Sequence, residues 1–337
     1  MKQRSENIIS ADLVKCCRLS IVVVCYKNPQ LTLSCLRSIL SFAPPFAHEI
    51  ICVDNGSADG VEGCIAKDFP DVRFFQAGYN SGFSKASNLG INNSRGEYIL
   101  LLNNDIEITE PIFDRMVEFM DAHPGTGALG PRHLDDSGRF QVSYGRFPTV
   151  VAEMKLKIMN RRILRGDPSI FRHLQEFCSK ERGVDWLSAS CLLLRREALR
   201  QTGLLDESLF MYFEDVDICK RITNKGWGIR YFPGVSVVHY HGKTVKENPL
   251  KCFFEYRRSQ LLYAKKYHGR TGEAVMRAFL FSKFSAVGCW NIMRFCVYKI
   301  LSKDTHSVYM RTVLSNKVVT MVFSSKMAEP IEPTLYV

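Results

Sequence analysis

Three apolar runs in the first third of the chain end in the same way, and that repetition limits the folds open to it. Val22-Val-Val-Cys-Tyr-Lys-Asn28, Ile50-Ile-Cys-Val-Asp-Asn-Gly-Ser57 and Tyr98-Ile-Leu-Leu-Leu-Asn-Asn-Asp105 each pass from buried-strand composition straight into polar or acidic residues. A short continuous apolar run is the mark of a strand covered on both faces. In open α/β sheets such strands present functional groups at their carboxyl ends, where ligands bind. Between the runs the apolar residues recur at helical spacing, as in Leu33, Leu36, Ile39 and Leu40. Strands are therefore expected at 19–25, 49–53, 72–76 and 97–102, with helices at 29–42, 59–69 and 82–94. This is a train of βα units, hence an α/β fold with a mostly parallel sheet flanked by helices.

The second half is less regular. A helix is expected at 111–123, an excursion from the sheet at 135–182, and a strand at 184–194. A helix at 196–201 and strands at 226–231 and 235–240 follow, then mainly helix from Pro249, with a poorly ordered tail around Glu329-Pro-Ile-Glu-Pro333. The stretch 278–301 is apolar but carries Lys283, Arg294 and Lys299, and charges near the middle of a bilayer span are costly. A span is not expected there. An amphipathic helix on an anionic surface and a packed bundle helix both fit the residues.

With 337 residues, 46% of them hydrophobic, the chain can bury one large or two small cores. Its net charge of +11 points to an anionic partner: nucleic acid, a phosphorylated small molecule or an acidic membrane face. No RNA-recognition signature, zinc-finger spacing or long basic run is present, so nucleic acid is not expected. No Gly-x-Gly-x-x-Gly follows the first strand, which disfavours a nicotinamide or flavin enzyme. The 12 cysteines form no Cys-x-x-Cys pair, and Cys25, Cys52, Cys191 and Cys219 lie inside apolar runs. They read as reduced thiols of a cytoplasmic protein. Residues 1–18 show no apolar core of signal-peptide length, in keeping with that compartment.

The densest polar cluster follows an aromatic run, Phe210-Met-Tyr-Phe-Glu-Asp-Val-Asp217. Taken alone, Glu214, Asp215 and Asp217 suit a solvated helix start, where acids complement the macrodipole. Their company supplies another reading. Val-Asp-Asn-Gly-Ser at 53–57, Asn-Ser-Gly-Phe at 80–83 with Asn88, and Leu-Leu-Asn-Asn-Asp at 101–105 are followed by Asp-Trp-Leu-Ser-Ala at 185–189, Glu-Asp-Val-Asp at 214–217 and His239. In this order and spacing the motifs resemble glycosyltransferase family 2, and within it the branch of bacterial rhamnosyltransferases and related cell-surface polysaccharide enzymes. The resemblance runs from about Leu19 to Lys266.

It implies a GT-A fold at 19–245, after a tail at 1–18 and before a helical extension at 246–337. The implied reaction is inverting transfer of a sugar, rhamnose first, from dTDP-rhamnose or a UDP-sugar to a hydroxyl of a glycan or lipid-linked acceptor. Tyr26, Asn28, Asp54 and Asn55 would meet the nucleotide, although an Asn-Gly turn also explains the last pair. Asn80, Gly82, Phe83 and Asn88 would close over it, and a capped helix start explains them equally well. Asp105 and His239 would hold Mg2+ or Mn2+, with His241 as a competing ligand; Asn103 stands where the family often has a second acid, beside Asn104. Asp215 would be the base and Glu214 would shape the acceptor pocket, while Asp217 would pair locally. Trp186 and Ser188 would line the sugar site, although a core Trp explains the first equally well, and Arg257 or Arg258 would face the diphosphate. The basic extension would meet an anionic membrane at its cytoplasmic face or form a homo-oligomer. A silent nucleotide-sugar-binding scaffold and a sugar nucleotidyltransferase are the rivals; retained acids oppose the first and the absence of a Gly-rich loop opposes the second.

Overall fold

The computed structural model describes residues 17–149, 178–240, 249–300 and 306–323, with isolated positions between 151 and 176. The first half alternates as the apolar runs require: β1 (Leu19–Cys25), α1 (Pro29–Ser41), β2 (His48–Asp54), α2 (Val61–Asp68), β3 (Arg73–Gln76), α3 (Phe83–Asn92) and β4 (Tyr98–Asn103). All seven residues of β1 are buried, since helices cover both faces of the sheet. Pro29 opens α1 with its φ already set for a helix, and Leu33, Leu36 and Ile39 turn inward, while Leu40 remains exposed. Each fully buried aliphatic side chain of this kind contributes roughly 1.5–3 kcal/mol.

The remaining elements are β5 (Ile106–Ile108), α4 (Phe113–Ala122), β6 (Thr126–Leu134), β7 (Phe140–Gln141), β8 (Tyr144–Gly145), β9 (Arg182–Gly183), β10 (Trp186–Leu187), β11 (Cys191–Arg195), α5 (Arg196–Thr202), α6 (Glu214–Asn224), β12 (Gly228–His239), α7 (Pro249–Ile300) and α8 (His306–Phe323). The sheet order is β3-β2-β1-β4-β11-β6-β12-β5, with the first four strands parallel, β11 antiparallel to both its neighbours, and β12 parallel to β6.

Three expectations for the second half need correction. The strand expected at 184–194 breaks into β10 and β11, because β10 pairs with β8 in a separate two-stranded sheet, a pairing the Ser188 N–H extends by donating to the Ser143 carbonyl, while β11 joins the main sheet. The two strands expected at 226–231 and 235–240 are one strand, β12, whose register slips between Phe232 and Ser236 at Pro233-Gly234. Strand β6 is unforeseen, since its Gly127, Gly130 and Pro131 read as breakers. Gly127 belongs there because a Cβ would lie 2.7 Å from Ile222 and 2.8 Å from Trp227.

Helix α7 is interrupted at Gly269, whose φ of 63° turns the chain back. Phe254 and Leu261 of its first limb then share a core with Met276, Leu280 and Phe284 of its second and with Val318 of α8. The first limb also grips the loop before α6. Ser259 donates to the Met211 carbonyl at 2.8 Å, the Phe213 ring lies 5.3 Å from Tyr256 and 5.5 Å from Tyr263, and Lys266 and Tyr267 both reach Asp217 at 2.7 Å. Asp217 is fully buried and also accepts from Arg221 at 2.8 Å. Asp217→Ala would leave three donors without their shared acceptor, and breaking such a buried pair typically costs about 3–5 kcal/mol. Thermal denaturation should therefore show a large fall in Tm, and an unchanged Tm would refute the anchoring role.

Candidate functional site

The site is built where the parallel strands end. Register aligns Cys25 with Asp54 and Val24 with Asn103, so the tips of β1, β2 and β4 lie side by side. Beyond β1 the backbone holds Lys27 and Asn28 at φ of 56° and 55°. Consecutive left-handed residues without glycine cost energy and persist only when their surroundings fix them. Here the Lys27 N–H donates to Ser57 Oγ at 2.7 Å, and the Ser57 N–H donates to Asp54 Oδ1 at 3.0 Å. The Ser57 hydroxyl is also bonded to Asp54. Asp54 is thus buried as the organiser of this loop; Tyr26, which follows the neighbouring strand, is half-buried, and Lys27 Nζ sits 5.5 Å from its ring centroid.

Asn55 and Asn80 tie the next loop down. Asn55 donates to Asn80 Oδ1 at 3.2 Å and accepts from both the backbone N–H and the hydroxyl of Ser81 at 2.9 Å. Gly82 follows at φ 88°, so close to the loop before α6 that a Cβ would meet the Phe210 carbonyl oxygen at 2.5 Å. The Phe83 N–H donates to that same oxygen at 2.7 Å, and Ser84 donates to the Leu209 carbonyl at 2.6 Å. Asn88 is buried and uses both ends of its amide on Leu205: it donates to the carbonyl at 2.9 Å and accepts from the N–H at 3.0 Å. Its place is beneath the loop, as a brace.

Asp105 follows β4, and β12 brings His239 beside it through pairing with β5. His239 Nε2 is 3.4 Å from Asp105 Oδ1, and that buried oxygen accepts no hydrogen bond among the described residues. An imidazole nitrogen beside a buried carboxylate oxygen lacking a donor suits a divalent cation. No third His, Cys, Asp or Glu joins them among the described residues. His241 lies outside the described residues. Asn104 donates to Thr32 Oγ1 at 3.0 Å, and the half-buried Asn103 is held by its N–H donating to the Ser190 carbonyl at 2.9 Å.

Residues 188–190 connect this end to the acids. The Ala189 N–H donates to Asp215 Oδ2 at 3.4 Å, while the Val216 N–H donates to Oδ1 at 2.8 Å. Despite those donors, burial pushes the Asp215 carboxyl up to about 6. Glu214, buried at the start of α6 with no hydrogen-bond partner for Oε2 among the described residues, is pushed well above the usual carboxylate range, first by burial and then by the charge of Asp215. Neighbouring carboxyls in one low-dielectric site divide into a group that stays protonated and one poised to take a proton. Both sit on a turn held at positive φ, with Tyr212 and Phe213 at 66°.

Trp186 donates its ring N–H to the Arg146 carbonyl at 3.0 Å, and Ser188 Oγ lies 2.8 Å from Ser190 Oγ. A histidine that the sequence did not single out extends this chain. His133 Nε2 is 3.0 Å from Ser190 Oγ, and its ring meets His239 edge-on at 5.8 Å. Its signal was masked because β6 was not recognised as a strand. The Arg257 guanidinium lies over Phe253, Tyr256 and Phe284, 4.9–5.6 Å from the ring centroids, and donates to Gln260 at 2.7 Å. Aromatic packing within α7 thus claims it. A cavity of about 360 Å³ between α7 and the 206–209 loop is lined by Leu209, Tyr263 and Lys266 and includes none of Asp105, Asp215 or His239.

The family model for glycosyl transferase family 2 matches residues 20–203. The chain is 28% identical over 270 residues to the N-acetylglucosaminyl-diphospho-decaprenol L-rhamnosyltransferase of Mycobacterium tuberculosis, covering 77% of this chain and 88% of that one. It is 24% identical over 258 residues to the dTDP-rhamnosyl transferase RfbF of Shigella flexneri, covering 73% and 80%. Among solved structures it resembles the mannosyltransferase PcManGT from Pyrobaculum calidifontis in complex with GDP-Man and Mn2+, with a TM-score of 0.54 and 15% identity over 92% of this chain and 88% of that one. S. aureus TarS 1-349 in complex with UDP-GlcNAc gives a TM-score of 0.51 at 15% identity, covering 80% and 73%. With a mostly parallel sheet that gathers polar and acidic side chains at the carboxyl ends of its strands and a family match over more than half its length, the chain belongs to glycosyltransferase family 2.

Proposed function

We propose that this chain transfers a sugar, rhamnose first among candidates, from a nucleotide diphosphate donor to a hydroxyl of a lipid-linked glycan, with inversion at the anomeric carbon. The observation that carries the reading is Asp215, a half-buried carboxyl pushed up to about 6 and aimed by two backbone N–H groups. It is ionised at neutral pH yet basic enough to accept a proton. The acceptor oxygen attacks the anomeric carbon while its proton passes to Asp215. The bond from that carbon to the diphosphate breaks, and the nucleoside diphosphate leaves with the electron pair. Glu214, kept protonated, offers an O–H to orient the acceptor.

Asp105 and His239 are the residues that would hold Mg2+ or Mn2+, which when bound offsets the charge on the leaving diphosphate. Tyr26 supplies a face for the base, and the loops braced by Asp54 and Asn55 enclose the nucleotide. The two rhamnosyltransferase relatives support the sugar, and the decaprenol in the mycobacterial relative's name supports a lipid-linked acceptor.

A screen of dTDP-rhamnose against UDP- and GDP-sugars, scored by released nucleoside diphosphate, should favour dTDP-rhamnose, with NMR of the product showing the inverted anomer. A retained anomer would overturn single displacement, and a clear preference for another donor would overturn the sugar. Because Asp215 must be ionised, kcat should rise with pH through about 6 and flatten above it. A rate independent of pH between 5 and 7 would remove Asp215 from the role.

A further inference from the structure

The second limb of α7 has an unusual outer face. Between Thr271 and Met293 every exposed residue is uncharged. Its inward row, Met276, Leu280, Phe284 and Asn291, is buried at intervals of a helical turn. The opposite row recurs at intervals of three and four along the other side, from Val275 through Ala278, Ser282, Ala286 and Cys289 to Met293, and all of it is exposed. Val275, Trp290 and Met293 are 54%, 57% and 50% exposed. A helix on a water-facing surface carries charged residues opposite its buried stripe, and this one does not.

Its charges are turned aside instead. Glu273 and Arg277 pair at 2.7 Å, and Lys283 lies over the rings of Phe279 and Phe284 at about 5.5 Å. Over the whole of α7 the sequence has ten Lys or Arg against only Glu255 and Glu273, a net charge of +8. Glu255 is fully buried against Arg258, and Glu273 is mostly covered, so α7 shows almost no negative charge to solvent. At the Gly269 turn Lys265 and Arg270 are exposed together, Lys265 standing 4.0 Å from Glu273, while Lys266 is held by Asp206 and Asp217. No helix among the described residues is long and apolar enough to cross a membrane.

We infer that the outer face of the second α7 limb, from Val275 to Met293, lies in the headgroup layer of an anionic bilayer, with the basic Gly269 turn as its electrostatic contact. An uncharged face flanked by cations is the composition of a helix lying in the interface plane. Each basic group near an anionic surface adds to the attraction within about a Debye length. A second copy of the chain is the poorer occupant, since it would bring another α7 of net charge +8 against the first. The inference deepens the proposed function and rests on its lipid-linked acceptor, because it places the catalytic edge beside the membrane that carries that acceptor.

The test uses the full chain and sedimentation with vesicles of phosphatidylcholine alone or with phosphatidylglycerol. Binding should require phosphatidylglycerol and weaken as salt rises. Trp290→Glu combined with Met293→Glu should weaken binding about tenfold or more, whereas Trp290→Phe should preserve it. All variants should keep the wild-type Tm and the wild-type rate on a water-soluble acceptor analogue. Unchanged vesicle binding by the double variant would overturn the inference, as would a dimer in solution that the double variant dissolves. Failure to act on any acceptor would sink the proposed function, and the vesicle result would stand apart from it. If the double variant is misfolded, Arg270→Glu at the turn provides the second arm, and full retention of binding there would also overturn the inference.

Discussion

Asp215→Asn should lower the rate of transfer by about 10²-fold or more while leaving donor binding intact. The substitution keeps the shape of the side chain and its place at the start of α6, but an amide cannot accept the acceptor's proton at neutral pH. Loss of a general base commonly costs two to four orders of magnitude. The amide oxygen can keep the shorter bond, from the Val216 N–H, at the cost of the 3.4 Å contact from the Ala189 N–H, so the start of α6 keeps its path. Steady-state kinetics should show the loss in kcat, with the rise through pH 6 absent from the variant's profile. Donor affinity, measured by calorimetry, should be near the wild-type value. A variant that retains more than about a tenth of the activity would transfer the role of base to another group.

The second large effect is expected at Asp105. Asp105→Ala should reduce transfer to background with only a small change in Tm, because the buried oxygen it removes accepts no hydrogen bond among the described residues and meets His239 Nε2 only at 3.4 Å. Excess chelator should likewise stop the wild-type enzyme, and Mn2+ or Mg2+ should restore it. His239→Ala should raise the cation concentration needed for half-maximal rate more than His241→Ala does. The reverse ranking would make His241 the ligand. Full turnover in chelator would remove the cation from the mechanism altogether.

What was legible in the sequence follows from where the physics is local. The strands β1, β2 and β4 are buried on both faces, and their apolar runs stop where the sheet stops, so the polar residues that follow mark its carboxyl edge without any structure. Asp217 was readable as a local partner of its own helix, through Arg221 four residues on. Its second set of partners, Lys266 and Tyr267, lies some fifty residues away and could not be read from spacing. The same limit applies to His133, which depends on a strand whose glycines only packing explains. For Arg257 the packing against Phe253 and Tyr256 is local to the helix, whereas that against Phe284 depends on the turn at Gly269 and could not be read from spacing.

The close approach of Gly82 to Phe210 also carries a genetic consequence. The segment from Asn80 to Asn88 and the loop from Leu205 to Phe213 are joined by Phe83, Ser84 and Asn88, so they can shift only together. A methyl group at 82 would press on the Phe210 carbonyl, and the displaced loop would carry Tyr212, Phe213 and the acids with it. An alanine at 82 would accordingly damage handling of the acceptor, although the position is more than 120 residues from the base in the chain. Second-site revertants of that allele should cluster between 205 and 213, and inheritance would then treat these two stretches as one unit.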